Sequence, residues 1–350
     1  MTTTQFADLG VDQDLVDALT ERGISAPFEI QALTIPDGLA GRDVCGRAKT
    51  GSGKTLAFGL PLVQLLPNAQ PGRPTGLALV PTRELAVQVS RELEPLAKVR
   101  NISVLAVYGG APIEKQIAAL EKGVELVVAT PGRMIDLIER GELSVADVER
   151  VVIDEADRMA DMGFMPQVEW ILRRAEADHQ TLLFSATLDG MVGGLISRYQ
   201  NDPVMHEIAA GEATVEEMEH RFLAVHEMDR VKVAAAIIDG SNRTIVFSRT
   251  KWGADKLTRR LVEEGVNAAA IHGDLRQSQR EKALGDFANG KVKALVATDV
   301  AARGIHVDDV DVVIHYDPPS DAKTYLHRSG RTARAGESGV VVSLVVWNEE

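Results

Sequence analysis

Short apolar runs alternate with longer amphipathic stretches along the whole 350-residue chain. In the first part of the chain the apolar runs predict strands at 43–48, 76–81, 102–108, 125–130, 150–155 and 181–186. Between several of these runs the apolar positions recur at helical spacing, as in RELAVQVSRELEPLAK at 83–98. This alternation is typical of an α/β fold with a doubly wound, mostly parallel sheet, which binds its ligands at the carboxyl ends of the strands.

The alternation lapses into small and acidic residues around AAGEATVEEMEH at 209–220 and then begins again. We therefore predict two α/β domains, 1–208 and 217–350, joined by a short linker at 209–216. The chain stops at VVWNEE, directly after an apolar run, so we expect a C-terminal tail to be missing from it. The second set of predicted strands is 221–227, 243–248, 267–272, 293–299, 310–316 and 339–347.

Composition and charge narrow the class of function. The start, MTTTQFADLGVDQD, is acidic and lacks a signal-peptide core, no apolar run is long enough to span a bilayer, and Cys45 is the only cysteine. We therefore expect a cytoplasmic protein. A net charge of −13 argues against polyanion binding over the whole surface, and 4% aromatic residues make base-stacking platforms scarce. A nucleic-acid site is accordingly expected to be a local groove that contacts the backbone.

The stretch AKTGSGKT at 48–55 matches the phosphate-loop pattern, except that Ala48 replaces the first glycine. It follows a predicted strand and precedes an apolar helix at 56–66, which is the context that the motif requires. Lys54 would neutralise the β- and γ-phosphates of a nucleotide and Thr55 would ligate Mg²⁺. The alternative is an ordinary glycine-rich turn. The predicted nucleotide contacts are Ala48, Lys49, Thr50, Gly51, Ser52, Gly53, Lys54 and Thr55.

Three carboxylates follow the predicted buried strand in VVIDEADRM at 151–159. A buried carboxylate is costly unless it is paired or binds a metal, so a cationic partner is expected at this strand end. We predict that Lys54 and a Mg²⁺ ion supply that charge. Asp154 would hold the Mg²⁺ through its water shell, and Glu155 would accept a proton from the water that attacks the γ-phosphate. The alternative is a solvated acidic loop.

Further motifs complete an ordered series. It reads Phe6 with GISAPFEIQ (23–31), AKTGSGKT, PTRELA (81–86), GG (109–110), TPGR (130–133), DEAD (154–157), SAT (185–187), VFSRT (246–250), HGDLRQSQR (272–280), ATDVAARGI (297–305) and HRSGRTAR (327–334). With this series the chain resembles the DEAD-box ATP-dependent RNA helicases over essentially its whole length. The resemblance implies two tandem RecA-like domains that use ATP, Mg²⁺ and RNA.

The resemblance also implies roles at the nucleotide. Gln31 would read the adenine, and Phe6 would pack near the base, with a plain core role as the alternative for Phe6. Arg331 and Arg334 would reach the γ-phosphate from the second domain, so that catalysis depends on domain closure. The residues implied to couple the nucleotide to RNA are Asp157, Ser185, Thr187 and His327; helix capping is the alternative for Ser185 and Thr187.

RNA contacts are implied in both domains, and none of these residues is aromatic, which favours sequence-independent recognition of the backbone. Taken alone, Thr82 and Thr130 are equally compatible with ordinary helix caps. The implied contacts in the first domain are Pro81, Thr82, Arg83, Gly109, Gly110, Thr130, Gly132 and Arg133. Those in the second domain are Thr250, Gln277, Arg280 and Thr298.

Two positions depart from the family pattern. Phe28 stands where threonine is usual, so a hydroxyl contact to the phosphate loop is lost. His306 stands where the family has an aspartate that contacts the ribose hydroxyls, and a neutral imidazole offers only one acceptor. We therefore predict weaker ribose discrimination. The alternative is that Asp308 or Asp309 takes over the contact, or that His306 only packs at the domain edge.

The sequence thus predicts an RNA-dependent ATPase that closes two domains on ATP and single-stranded RNA and unwinds short RNA duplexes locally. An ATP-gated RNA clamp or chaperone that remodels ribonucleoprotein without productive unwinding would carry the same motifs. A DNA translocase would need extra strand-separating elements, for which no sequence is left over.

Overall fold

Two parallel sheets, one in each half of the chain, organise the fold. The computed structural model describes residues 4–48, 51–175, 178–188, 190–208, 218–302, 310–332 and 339–347. Contacts divide the chain into Met1–Ala210, here called unit 1, and Gly211–Glu350, here called unit 2. The predicted linker at 209–216 lies outside the described residues.

In the described part of unit 1, seven strands form one sheet in the order β3-β4-β2-β5-β6-β1-β7, and every neighbouring pair is parallel. The strands are Val44–Arg47 (β1), Gly76–Leu79 (β2), Val104–Val107 (β3), Leu126–Ala129 (β4), Arg150–Asp154 (β5), Gln180–Ser185 (β6) and Val204–Glu207 (β7). The helices are Gln13–Glu21 (α1), Glu29–Leu39 (α2), Lys54–Leu65 (α3), Arg83–Val99 (α4), Ile113–Leu120 (α5), Pro131–Glu139 (α6), Ala156–Asp161 (α7), Met165–Leu172 (α8) and Gly190–Tyr199 (α9), with a short 3₁₀ turn at Ala7–Leu9.

Unit 2 repeats this architecture: six strands in its described part form a parallel sheet in the order β10-β11-β9-β12-β13-β8. The strands are Met218–Ala224 (β8), Thr244–Phe247 (β9), Ala268–Ile271 (β10), Ala294–Ala297 (β11), Val312–His315 (β12) and Gly339–Val345 (β13). The helices are Arg230–Asp239 (α10), Lys251–Glu263 (α11), Gln277–Ala288 (α12), Asp299–Ala302 (α13) and Ala322–Ser329 (α14).

Both faces of each sheet are buried. Successive residues of the central strands in unit 1 belong to different core clusters: Val151 and Ile153 to one, Val152 to the other. Unit 2 shows the same alternation, with Ile245 and Val246 in separate clusters. Because successive strand side chains point to opposite faces, this division means that helices cover both sides, as in other doubly wound sheets. A third cluster in unit 1 packs α1 against α2, α3 and α4.

The predicted fold class is confirmed, and each predicted strand has a counterpart in the structure. The first strand of unit 2 was misplaced, because it runs over Met218–Ala224 and not over 221–227. The strand β7 was missed. Its four residues VMHE alternate between half-buried and exposed side chains at the edge of the sheet, so they lack the continuous apolar run that marked the central strands. No helix in the described residues is long and apolar enough to cross a membrane.

A carboxylate fixes the strand β1 within the sheet. Asp43, directly before β1, accepts a hydrogen bond from the Thr181 N–H through Oδ1 and one from the Asn201 N–H through Oδ2, both at 2.6 Å. These bonds tie the start of β1 to β6 and to the segment that leads into β7. The strand that precedes the phosphate loop is therefore anchored on both sides.

The thiol of Cys45 should report on the opening of β1. Cys45 is fully buried, and this burial raises its pKa to about 12. Since the thiolate is the reactive form and an unperturbed pKa is about 8.5, we expect labelling at neutral pH to be slower in the native protein by a factor of at least about 10³ than in the unfolded chain. Thiol titration with and without denaturant measures this ratio. Similar rates in the two states would mean that β1 is not held closed.

Candidate functional site

The strand order of unit 1 sorts the predicted motifs into two neighbouring groups at one edge of the sheet. The phosphate loop, DEAD and SAT follow the strands β1, β5 and β6, which are adjacent. The predicted RNA motifs PTRELA, GG and TPGR follow β2, β3 and β4, which are also adjacent. Because all the strands are parallel, every one of these motifs lies at the carboxyl edge, where such sheets bind ligands.

The phosphate loop enters α3 through two glycines in the left-handed region, Gly51 with φ +87° and Gly53 with φ +83°. A Cβ on Gly53 would lie 2.5 Å from Gln31 Nε2 and 2.5 Å from Phe28 Cδ2. Glycine is therefore required there, both because of the left-handed backbone and because a side chain would collide with these neighbours. Lys54 is buried, and its Nζ donates to the Ala48 carbonyl at 3.0 Å across the loop. Ser52 and Thr55 are half-buried beside it. Lys49 and Thr50 lie outside the described residues.

Gln31 ties the helix α2 to the phosphate loop. Its Oε1 accepts from the Phe28 N–H at 2.8 Å, and its Nε2 donates to the Gly53 carbonyl at 2.9 Å. Gln31 is itself 1% exposed, and these two bonds leave one amide hydrogen and one oxygen lone pair of its side chain unused. Phe6, the other predicted base contact, is only 1% exposed and packs among Leu15, Leu19 and their neighbours. That burial favours the core role for Phe6.

Two carboxylates are buried side by side at the end of β5. Asp154 is 3% exposed and Glu155 is 4% exposed, and Asp154 Oδ1 accepts the Glu155 N–H at 2.9 Å. Glu155 has φ +52°, an uncommon left-handed conformation for a residue other than glycine. Its Oε2 accepts a hydrogen bond from Arg158 Nη1 within a buried ion pair. The direct cationic partner of Glu155 is thus Arg158, which the sequence analysis missed although it stands three residues on, at helical spacing.

Asp154 lacks such a direct partner in the described residues. Burial raises its pKa to about 7; Lys54 acts against this rise, and the neighbouring charge of Glu155 adds to it. A divalent cation would offset the cost of burying this carboxylate. The described residues hold no cluster of three or more His, Cys, Asp or Glu side chains suited to a metal. One carboxylate and the Thr55 hydroxyl instead fit Mg²⁺, which keeps several waters and binds phosphate oxygens.

Ser185, at the end of β6, connects the two neighbouring motifs. Its Oγ accepts the Asp157 N–H at 3.1 Å, and its carbonyl accepts the Ala48 N–H at 3.0 Å. Asp157 is the second residue of α7, so the fully buried hydroxyl of Ser185 caps that helix from a different strand. The contact runs to the backbone of Asp157 and not to its carboxylate. Thr187 is half-buried two residues further on.

The three predicted RNA motifs of unit 1 meet through arginines. The Arg83 guanidinium lies against Gly110, where a Cβ would collide with it, and Gly110 has φ +88°. Arg133 Nη1 donates to the Ala111 carbonyl and to Gln116 Oε1, both at 3.2 Å. Gln116, which no sequence motif indicated, is buried, and its Nε2 donates to the Tyr108 carbonyl at 3.1 Å and so holds the loop after β3.

The threonine, glycine and proline residues predicted to contact RNA in unit 1 have different structural environments. Thr82 caps α4, because its hydroxyl accepts the Leu85 N–H at 3.2 Å, so the capping alternative holds there. Thr130 stands at the N-cap of α6 but makes no side-chain cap bond. Gly132 is exposed with open space around it, Gly109 is half-buried beside Arg83, and Pro81 is buried.

In unit 2 the predicted RNA contacts also follow adjacent strands, β9, β10 and β11. Thr250 caps α11 by accepting the Gly253 N–H at 2.9 Å. Thr298 is buried at the end of β11, and Arg280 is half-buried on α12. The Gln277 side chain, His306 and Arg334 lie outside the described residues.

The motif HRSGRTAR, which begins in the last turn of α14, contains one arginine whose contacts are structural. Arg328 is buried and binds both carboxylate oxygens of Asp299, at 2.6 and 2.9 Å, while its Nη1 donates to the Asp317 carbonyl at 2.6 Å. It thereby joins the segments that follow β11 and β12. Arg331 is half-buried, with its Nε donating to the His327 carbonyl at 3.3 Å, and the His327 side chain is exposed.

Two family profiles match the chain, one within each unit. The DEAD/DEAH box helicase family profile matches residues 28–192, and the helicase conserved C-terminal domain profile matches residues 229–336. The chain is 43% identical over 348 residues to the DEAD-box ATP-dependent RNA helicase CshA of Geobacillus kaustophilus, covering 99% of this chain and 74% of the relative. It is 43% identical over 344 residues to the ATP-dependent RNA helicase CshA of Listeria monocytogenes, covering 98% and 66%. The chain thus spans about two thirds to three quarters of the length of these relatives.

Solved structures show a similar fold. Dbp5 of S. cerevisiae, bound to RNA and ADP BeF3, has a TM-score of 0.85 and 29% identity, with 98% of this chain and 89% of that chain covered. A DEAD box protein from Methanococcus jannaschii has a TM-score of 0.57 and 37% identity, with 99% and 94% covered.

The ion pair between Arg158 and Glu155 should stabilise the folded protein as long as Glu155 carries its charge. We expect Arg158→Ala to lower the free energy of unfolding by about 3–5 kcal/mol, because it leaves a buried carboxylate without its partner. Adding Glu155→Gln should restore most of that loss, since a neutral amide is cheaper to bury. Urea unfolding of the parent, both single variants and the double variant measures the coupling. Additive effects of the two changes would show that the pair is not formed.

Gly53→Ala should disturb the phosphate loop, because it strains the left-handed backbone and places a methyl group against neighbouring side chains. A side chain in the left-handed region costs about 1 kcal/mol, and the new methyl group would displace Gln31 from the Gly53 carbonyl. We expect lower stability and loss of nucleotide binding. Gly285→Ala on α12 is the matched control, because its Cβ would enter open space, and helix propensity should then raise stability slightly. Normal nucleotide affinity in Gly53→Ala would contradict the loop geometry.

Proposed function

This chain belongs to the DEAD-box family of ATP-dependent RNA helicases, and we propose that it hydrolyses ATP when RNA is bound and separates short RNA duplexes locally. The Dbp5 structure, bound to RNA and ADP BeF3, supports the same pair of ligands for this chain. The proposed domains are 1–208 and 217–350, with the linker at 209–216 between them.

The arrangement at the sheet edge of unit 1 is the observation that carries this proposal. The motifs predicted to bind phosphate follow β1, β5 and β6, and side chains suited to a nucleic-acid backbone follow the adjoining strands β2, β3 and β4. The two groups meet where β2 pairs with β5. A nucleotide and an RNA strand bound at this edge would be neighbours on one rigid sheet, which is what an RNA-dependent ATPase requires.

Residues of unit 1 would bind ATP and activate the water. The N–H groups of the phosphate loop and Lys54 would bind the β- and γ-phosphates. Asp154, through water, and Thr55 would hold Mg²⁺, which when bound would neutralise charge on the phosphates. Glu155 would accept the proton of the attacking water. Its ion pair with Arg158 fixes the carboxylate in the left-handed turn and keeps it at the strand end.

RNA would be bound through its sugar–phosphate backbone. Arg83 and Arg133 would provide charge, and Arg83 lies directly against Gly110 in the loop after β3, whose backbone N–H groups would contact a phosphate. In unit 2, Thr250, Arg280 and Thr298 would make the matching contacts. This recognition would be independent of RNA sequence. It would also be local, because the net charge of −13 disfavours binding elsewhere on the surface.

The second domain would complete the ATP site. In the proposed closed state Arg331 and Arg334 contact the γ-phosphate and His306 contacts the ribose, so charge stabilisation arises only when the domains close. Asp157, Ser185, Thr187 and His327 would transmit the nucleotide state to the RNA side. Closure would hold RNA in a form that a duplex cannot adopt, and loss of phosphate would reopen the domains.

Strand displacement tests the unwinding step. A short RNA duplex with a labelled strand, incubated with the protein and ATP, should release that strand, while a DNA duplex of the same sequence should not. Stable ATP-dependent RNA binding without displacement would instead indicate an RNA clamp. Displacement of both duplexes would contradict recognition of the RNA backbone.

Glu155→Gln should separate binding from hydrolysis. The amide cannot accept a proton, so we expect RNA-stimulated turnover to fall by about 10²–10⁴-fold, while ATP and RNA still bind. Steady-state hydrolysis at saturating RNA, together with filter binding of RNA in the presence of ATP, measures both properties. Turnover within about threefold of the parent, far less than the loss of a general base should cost, would show that Glu155 is not the base.

A further inference from the structure

Trp252 is an exposed indole in the first turn of α11, two residues after Thr250. It is 67% exposed, although the burial of so large a ring is normally favourable. Four residues on, Lys256 places its Nζ 4.9 Å from the centre of the ring, within the range of a cation–π contact. Because the side chain stays exposed with this cation beside it, most of the indole surface is open to a further contact.

The first turn of α11 is held closely against the loop after β9. The Thr250 hydroxyl accepts the Gly253 N–H at 2.9 Å. A Cβ on Gly253 would lie 2.7 Å from Ser248 Oγ and 2.8 Å from Thr250 Oγ1, so only glycine leaves room for this approach. The backbone on either side of Trp252 is thus fixed, and the indole is presented from a rigid helix end.

The same turn lies beside a second predicted RNA motif, HGDLRQSQR, which follows β10. Lys251 Nζ donates to Asp274 Oδ1 at 2.6 Å, and a Cβ on Gly273 would lie 3.7 Å from Lys251 Cε. This ion pair is exposed and contributes little to stability, but it shows that the two segments are neighbours. Trp252 therefore stands next to a residue that bridges two motifs with predicted RNA contacts.

The exposed face of α11 is positively charged around the indole. Lys256 and Arg259 follow Trp252 at spacings of four and seven residues, which place them on the same side of the helix. The apolar positions of α11 pack into the core on the other side. The helix contains four basic and two acidic residues, whereas the whole chain has a net charge of −13. This local charge favours a polyanion over an apolar protein segment as the ligand of the ring.

We propose that Trp252 stacks on one base of the bound RNA, an inference that rests on the proposed RNA-binding function. Bases stack on aromatic side chains whatever their identity, because every base has a π-face. Lys256 beside the ring would contact the phosphate next to that base. Backbone contacts repeat at every nucleotide, whereas a single stack would hold one base at one place. Trp252 would thus add to unit 2 the aromatic contact that the predicted RNA motifs lack.

An abasic nucleotide in the RNA tests the stack directly. The affinity of the full chain for a short labelled single-stranded RNA, with ADP, beryllium fluoride and Mg²⁺, is measured by fluorescence anisotropy in the parent, Trp252→Ala and Trp252→Phe. Loss of one stack should weaken binding about 5- to 150-fold in Trp252→Ala. Trp252→Phe should retain most of the affinity, since an aromatic ring is kept.

The abasic nucleotide is then moved stepwise along the strand. At one position it should weaken binding to the parent by a factor similar to that of Trp252→Ala, and at that position Trp252→Ala should lose nothing further. Because two RNAs are compared on the same variant, a change in the folded fraction would affect both affinities equally.

Trp347→Ala is the matched control. Trp347 is 75% exposed but follows β13, which β12 separates from β9. Its replacement should leave RNA affinity unchanged.

Three outcomes would overturn the inference. Equal losses from the abasic nucleotide in the parent and in Trp252→Ala would mean that the ring only positions the neighbouring backbone contacts. Unchanged RNA affinity in Trp252→Ala would mean that the ring meets no base and is left for a protein partner. Either result leaves the proposed helicase standing, whereas a parent that binds no RNA overturns both proposals.

Discussion

Two carboxylates buried next to each other at the end of β5 are the constraint around which the edge of unit 1 is built. Asp154 and Glu155 would repel each other in a low-dielectric environment, so each needs compensation. Glu155 is turned into the left-handed region and paired with Arg158, while Asp154 accepts the Glu155 N–H and lies in the field of Lys54. Such a left-handed residue costs of order 1 kcal/mol, and it persists because the neighbouring contacts require it.

The loop that faces these carboxylates is positioned mainly through its own backbone. Ser185 accepts the N–H of Asp157 and, through its carbonyl, binds the N–H of Ala48, and Gln31 donates to the carbonyl of Gly53. The backbone carbonyl of Ser185 at the end of β6 and the side chain of Gln31 on α2 therefore position the phosphate loop. Ser185 and Gln31 are both buried. A ligand that displaces the phosphate loop would therefore also shift the start of α7, through Ser185, and the start of α2, through Gln31.

Unit 2 uses a buried cation for a similar purpose. Arg328 binds Asp299 through two parallel hydrogen bonds and packs over the Phe247 ring with its guanidinium 5.1 Å from the ring centre. A bidentate pair has a well-defined geometry, so it fixes the segment after β11 relative to α14. Of the three arginines that the motif HRSGRTAR contains, one is thus committed to structure.

The alternation of strands and helices, the strand ends at which the motifs stand and the chemical groups found there could all be predicted from the sequence. These are local properties, readable from side-chain periodicity and from glycines such as Gly51 and Gly53. The strand order, which brings β6 between β5 and β1 and places the predicted RNA motifs beside the predicted nucleotide motifs, could not be predicted in this way, because it depends on how the strands pack. Nor could the partners Arg158 for Glu155 and Gln116 for Arg133, or the burial of Phe6 while Phe28 stays exposed. Each of these depends on which distant segments pack together: Phe6 is enclosed by helices up to Ala97, and a periodic pattern carries no information about such neighbours.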